Sequence, residues 1–364
     1  MKKAVKIIVI VLLSILGLSF IALLVLALNS PGKPEPLKDK DGNEIVGAIS
    51  EKIYYEIGGI RQGFIIRSEN PENPIILFLH GGPGSPELPM FYPFEKSERL
   101  EKYFTVCYWD QRGAGMSYSS SIDPSTMTLE QMIEDTREIT DYLKQRFNQD
   151  KIYLMGHSWG SYLGIKTVEK YPDNYKAFIG VGQVCNQLES EKIAFNYMLE
   201  HAKEIGDKGA VKRLEQFDPN ASDFPSLKYL LSARSMLMNK YKIGIMHSDK
   251  FSVTSLIKNM LTFKAYTIKE KLLYFKGSLF SLENVWEYVE NDNLKETSIK
   301  FQIPIYILHG KYDYQVSYTL SHNYFEIIEA PNKAFHTFEN SAHSPNAEEP
   351  ERFVSVVRQI DSKN

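Results

Sequence analysis

KIYLMGHSWG, residues 151–160, runs from an apolar strand through a glycine-flanked turn into a helix. Gly156, Ser158 and Gly160 fit the pattern G-x-S-x-G. In this strand–turn–helix setting the pattern describes a nucleophile elbow, a sharp turn that holds a serine in a strained backbone conformation above a sheet. The two glycines let strand and helix approach closely. The N-terminus of the helix favours negative charge developing near the hydroxyl.

A strand buried on both faces needs strands beside it. Residues 74–80 (PIILFLH) and 103–109 (YFTVCYW) are continuous apolar runs of that kind. Residues 52–57 and 63–67 read as a hairpin turning near Gly58 and Gly59. Further strands are expected over 177–181, 303–308 and 334–338. Helices are expected over 128–147, 159–171 and 348–360, where apolar residues recur at helical spacing. Strands alternating with helices imply an α/β fold with a mostly parallel sheet covered on both faces. From about 183 to 302 the pattern is helical without a strand. That stretch reads as a cap inserted over the C-terminal ends of the strands, where open α/β sheets bind ligands.

The chain has 364 residues, a formal charge of −3 and 43% hydrophobic residues, which is ordinary globular usage with no excess of positive charge for nucleic acid. Two cysteines exclude a disulfide scaffold and a four-cysteine zinc site; Cys107 and Cys185 sit in apolar surroundings and read as buried free thiols. Residues 7–28 carry no charge and would span about 33 Å as a helix, enough for a bilayer core. Lys2, Lys3 and Lys6 precede them, so a transmembrane signal anchor with a cytoplasmic N-terminus and an exported globular part is expected. A cleaved signal peptide, leaving a secreted protein, is the alternative. The expected organisation is a cytoplasmic 1–6, an anchor at 7–28, a linker at 29–45, a core of 46–182 with 302–364, and a cap at 183–301.

A serine nucleophile needs a base, and the base needs an orienting acid. In this architecture the chain order is serine, acid, histidine. His322 falls in an expected helix and His336 in the last strand. His343 lies in the loop NSAHSP (340–345), which can carry an imidazole over the sheet. Asp313 stands just past the tip of the strand at 303–308; Glu189, after an earlier strand, is the rival acid. HGGPG (80–84) follows a buried strand, and the Gly82 and Trp159 N–H groups are the expected oxyanion donors. Asp110 and Arg112 in DQRGAGMS (110–117) are expected to brace a loop. No metal or organic cofactor is called for.

HGGPG, DQRGAGMS, GHSWG and the Asp313/His343 ending together resemble the α/β-hydrolase fold. More narrowly, they resemble the proline iminopeptidases (prolyl aminopeptidases) among serine peptidases. The resemblance covers most of residues 46–182 and 302–360. It places the nucleophile on Ser158, the acid on Asp313, the base on His343 and the oxyanion donors on Gly82 and Trp159. It implies release of one N-terminal residue, often proline, from a short peptide. It also implies cap glutamates that bind the substrate ammonium, for which Glu189, Glu191 and Glu287 are the candidates. His157 departs from the glycine common at that place in the family. A carboxylesterase or other small-molecule hydrolase using the same triad, and a non-catalytic binding protein of the same fold, are the alternatives.

Overall fold

The computed structural model describes residues 2–91, 98–249 and 252–363. Eight strands form one sheet in the order β1-β2-β4-β3-β5-β6-β7-β8. They are β1 Ile49–Ile57, β2 Ile60–Ser68, β3 Ile75–Leu79, β4 Thr105–Asp110, β5 Ile152–His157, β6 Tyr175–Val181, β7 Ile305–Gly310 and β8 Lys333–Phe338. The β1–β2 hairpin turns at Gly58 and Gly59 in antiparallel register, and β2 is antiparallel to β4. Every pairing from β4 across to β8 is parallel. This is the α/β-hydrolase arrangement expected from the sequence. Strands β3, β4, β5 and β7 are buried along their whole length. Their apolar runs fill the two cores on either face of the sheet, one around Leu77, Leu154 and Ile307, the other around Ile76, Met155 and Leu308.

Helix Leu129–Phe147 starts at Thr128, whose side chain accepts from the Gln131 N–H, and ends where Asn148 turns left-handed at φ 51°. It buries Met132, Ile133, Ile139 and Leu143 along one side. The terminal helix expected over 348–360 is Pro350–Asp361, and a short helix, Pro345–Glu348, precedes it. Pro350 has no N–H to continue the short helix and stands in the first turn of the longer one. Cys107 and Cys185 are free and buried.

The segment between β6 and β7 is helical, led by Gln187–Glu204 and Ile268–Asn291. It has its own apolar cluster, built on Phe195, Met198, Tyr229 and Leu237. Its two ends meet where Asn186 bridges Asn293 and the Leu294 N–H donates to the Cys185 carbonyl at 2.8 Å. The insertion is thereby a closed excursion from the sheet.

Lys2–Leu28 forms one helix of 27 residues. The side chains of residues 2–5, 8–12, 15, 18, 19 and 22 lie outside those described. Among the described residues no helix is long and apolar enough to cross a membrane. The span expected over 7–28 is therefore not shown by the structure. Residues 29–45 are packed rather than free. The Gly32 and Lys33 N–H groups donate to the Lys264 carbonyl at 3.1 and 3.2 Å. The Lys271 ammonium donates to the Asn29 and Leu261 carbonyls, both at 2.6 Å, and burial pulls its pKa down to about 8. Leu37 is buried.

Candidate active site

Ser158 caps helix Trp159–Lys170 at φ 55° and ψ −122°, a conformation that costs a non-glycine residue free energy. The surroundings enforce it. The Ser158 N–H donates to the Val181 carbonyl at 2.9 Å, tying the elbow to β6. A Cβ on Gly160 would lie 2.1 Å from the Leu79 carbonyl oxygen, and one on Gly156 would lie 2.2 Å from the Gly160 oxygen. Glycine at those positions is a steric requirement of the crossing between helix and strand.

Asp313 stands three residues past β7, and His343 hangs from the loop after β8. The His343 Nδ1–H donates to Asp313 Oδ2 at 2.7 Å, and both groups are buried. Asp313 accepts further bonds, from the Val316 N–H at 2.9 Å and from His309 Nε2 at 3.1 Å. Burial opposes its charge, but His343 and His309 outweigh burial and hold the carboxyl well below the usual range. Burial lowers the His343 pKa; Asp313 works against that, and His157 adds to it. With Nδ1 committed to Asp313, the lone pair of neutral His343 sits on Nε2, a buried atom with no hydrogen-bond partner among the described residues. Gly182 makes room for the ring: at φ 54° its missing Cβ would meet the imidazole at 3.0 Å.

Gly82 and Trp159 both border the cavity into which Ser158 opens. Trp159 opens its helix, so its N–H has no acceptor within the helix. The cavity measures about 160 Å³. Its floor comes from the strand ends (Ser158, Val184, Val316) and its roof from the cap, chiefly Leu230, Leu231, Arg234, Leu282 and Trp286. One of its lining residues, Gln187, carries a buried polar atom, Oε1, without a hydrogen-bond partner among the described residues. Gln187 Nε2 donates to Glu191 at 2.8 Å and to the Gln315 carbonyl at 3.0 Å, so its oxygen must be the unpaired atom.

The cap glutamates expected from the resemblance separate. Glu189 is exposed, and Asp313 rather than Glu189 is the carboxylate bonded to His343. Glu287 is exposed, on a different face of the cap beside Tyr162 and Asn284. Glu191 is buried and bound by Arg234, whose Nε donates to Oε1 at 2.9 Å and Oε2 at 2.7 Å. Glu290 went unnoticed in the sequence. Burial raises its pKa, and the charges of Glu191 and Glu287 add to the effect. His322 and His336 lie in helix Tyr318–Ile327 and in β8, where the sequence put them.

The loop after β4 braces as expected. Arg112 donates to both Asp135 oxygens, at 2.8 and 3.0 Å, and to the Gly58 carbonyl at 2.7 Å. Asp110 accepts from the Met116 N–H at 2.7 Å and from the Tyr266 hydroxyl, and burial pushes its pKa up to about 7. Sequence reasoning missed Glu87 and the partners of His157. His157 donates from Nδ1 to Glu87 and from Nε2 to the His343 carbonyl at 2.7 Å. No local periodicity could have joined positions 87 and 157. Among the described residues no cluster of His, Cys, Asp and Glu is arranged to hold a metal ion.

Residues 99–350 match the family described as Serine aminopeptidase, S33. A probable aminopeptidase, YbaC, of Bacillus subtilis (strain 168) is 33% identical over 303 residues, covering 83% of this chain and 93% of that protein. A proline iminopeptidase of Heyndrickxia coagulans is 24% identical, covering 84% and 96%. Among solved structures, a proline iminopeptidase of Mycobacterium smegmatis superposes with a TM-score of 0.62 at 13% identity, covering 85% of this chain and 97% of that one, which speaks for the fold alone. The chain belongs to the S33 serine aminopeptidase family and is a serine hydrolase of the α/β-hydrolase fold.

Proposed function

We propose that this protein releases the N-terminal residue of short peptides through an acyl-enzyme on Ser158, in the manner of a proline iminopeptidase. The observation that carries the proposal is the buried Asp313–His343 pair, whose Nε2 is unengaged, together with Ser158 held at φ 55° on the elbow. His343 Nε2 takes the Ser158 proton as the oxygen attacks the scissile carbonyl. Asp313 fixes the tautomer and stabilises the imidazolium. The Gly82 and Trp159 N–H groups hold the oxyanion, each worth about 3 kcal/mol in the transition state. His343 passes its proton to the leaving amine, and a water activated by the same nitrogen then releases the acyl group. The apolar roof of Leu230, Leu231, Leu282 and Trp286 suits a compact apolar first residue such as proline.

One observation favours a second reading, an esterase of small acyl groups. Glu191 is already neutralised by Arg234, so the cavity wall carries a guanidinium and no free carboxylate. The test compares a prolyl-arylamide, its N-acetylated twin and a short-chain aryl ester, with Ser158→Ala as blank. The peptidase reading expects a strong preference for the free amine, with turnover abolished in the blank. Ester cleavage alone would leave the triad and remove the peptidase. Residues 7–28 are proposed to anchor the chain, leaving the catalytic part outside the cytoplasm; extraction of the full chain by alkaline carbonate would refute the anchor.

A further inference from the structure

His157, the residue before the nucleophile, is more than a neighbour in the turn. Both of its ring nitrogens face acceptors: a Glu87 carboxylate oxygen at Nδ1, and the His343 backbone carbonyl at Nε2, 2.7 Å away. A neutral imidazole has one N–H and satisfies one acceptor; two acceptors require the imidazolium. Glu87 is the counter-ion. It is buried, lies on the loop after β3, and also accepts the Gly81 N–H at 3.1 Å. Burial alone would lower the His157 pKa, but Glu87 outweighs it and raises the pKa above the ordinary imidazole value. A buried ion pair therefore runs from the HGGPG loop, through the residue before Ser158, to the backbone of the base.

The ring of His157 lies 4.5 Å from that of His343, tilted by 42°. The loop carrying His343 is tied to the last helices by Glu348 and Glu349, which accept the Ala342 and Asn340 N–H groups at 2.7 and 3.1 Å, while His343 itself is held by its N–H on the Gly244 carbonyl of the cap at 3.1 Å, by its Asp313 contact and by His157 on its carbonyl. The groups around the two rings are few. Asp313 and His309 face His343 from the end of β7. Arg234, held by Glu191, stands near Asp313 from the cap. His80, on the Glu87 side, donates from Nδ1 to the Gly81 carbonyl and accepts the Gln111 N–H at Nε2, so it is neutral. Among the described residues His157 and His309 both act on His343 as positive charges, His157 the more strongly.

We propose that Glu87 and His157 are positioning residues for the acyl-transfer site, holding the His343 backbone in place and keeping its imidazole an unprotonated base under weakly acidic conditions through the charge of the adjacent imidazolium. This rests on the reading of Ser158 and His343 as nucleophile and base. A cation at ring-to-ring distance disfavours a second proton on His343. Removing it lets that proton bind at higher pH, so the base becomes unavailable sooner as acidity increases.

The test reads the rate at which a fluorophosphonate labels Ser158 in the full-length protein between pH 4.5 and 9. It is run for the wild type, His157→Gln and Glu87→Gln, with Ser158→Ala as the unlabelled control. Relative to its own plateau, His157→Gln is expected to shift the acid limb up by about one pH unit, a tenfold slower labelling below the midpoint. Glu87→Gln shifts it the same way and by less, because it removes an anion along with the proton it retained. A wild type that is never labelled would overturn the nucleophile reading and this inference together. Wild-type labelling with an unchanged or lowered midpoint in His157→Gln would overturn the inference alone. Nitrogen NMR of the wild type serves if a variant does not fold: both His157 ring nitrogens should be protonated at pH 7, and a neutral ring refutes the proposal.

Discussion

Arg112→Met should destabilise the protein by about 3–5 kcal/mol, although Arg112 never enters the cavity at Ser158. Arg112 and Asp135 are almost wholly buried, at 1% and 0% side-chain exposure. Asp135 accepts four donors: Arg112 Nε and Nη2, Gln62 Nε2 at 2.7 Å and Gln131 Nε2 at 2.8 Å. Methionine fills similar volume but leaves a buried carboxylate with two amide donors and no cation, and breaking such a pair from one side typically costs about 3–5 kcal/mol. The Gly58 carbonyl loses its 2.7 Å donor as well, loosening the β1–β2 turn. With an unfolding entropy near 2.1 cal/mol/K per residue over about 330 folded residues, a loss of about 4 kcal/mol lowers Tm by about 6 °C. Urea unfolding of wild type, Arg112→Met, Asp135→Leu and the double variant measures the coupling. The double variant should cost less than the sum of the singles, since neither charge is then stranded. A single variant within 1 kcal/mol of wild type, or a strictly additive double, would refute the argument.

Other outcomes follow from the same structure. Gly160→Ala places a methyl 2.1 Å from the Leu79 carbonyl oxygen and 2.8 Å from that of His80, both backbone atoms. The variant should lose more than about 4 kcal/mol or fail to fold, and a soluble, cooperatively melting Gly160→Ala would contradict the crossing geometry. Asp110 has a folded pKa of about 7, above its unfolded value near 3.9, so its contribution to stability is full below pH 4 and is lost as pH rises towards 7. Asp110→Asn should flatten the wild type's decline in denaturation midpoint over that window; an unchanged pH dependence would show that the carboxyl titrates normally.

Much of the frame was legible because it rests on local chemistry. Strands β3, β4, β5 and β7 announce themselves as unbroken apolar runs, since a strand covered on both faces has no polar side to show. The elbow was legible because only glycine tolerates the contacts at 156 and 160. Asp313 and His343 were found by position, each just past the end of a strand. Residues 29–45 were read as a linker because proline and mixed charge look like one. Their attachment to the Lys264 carbonyl and the Lys271 ammonium depends on groups more than two hundred positions away.

By itself, the sequence determined the sheet, the elbow and the places of Asp313 and His343 past the strand ends, because strand burial, turn sterics and chain order are properties of short segments. Only the tertiary structure decided the electrostatics. Arg234 reaches across the cap to neutralise Glu191, and Glu87 charges His157 from another loop, while Glu189 and Glu287 are left in solvent. The interaction between two charges depends on their separation and on how much water lies around them, and neither quantity is written in the spacing of residues along the chain.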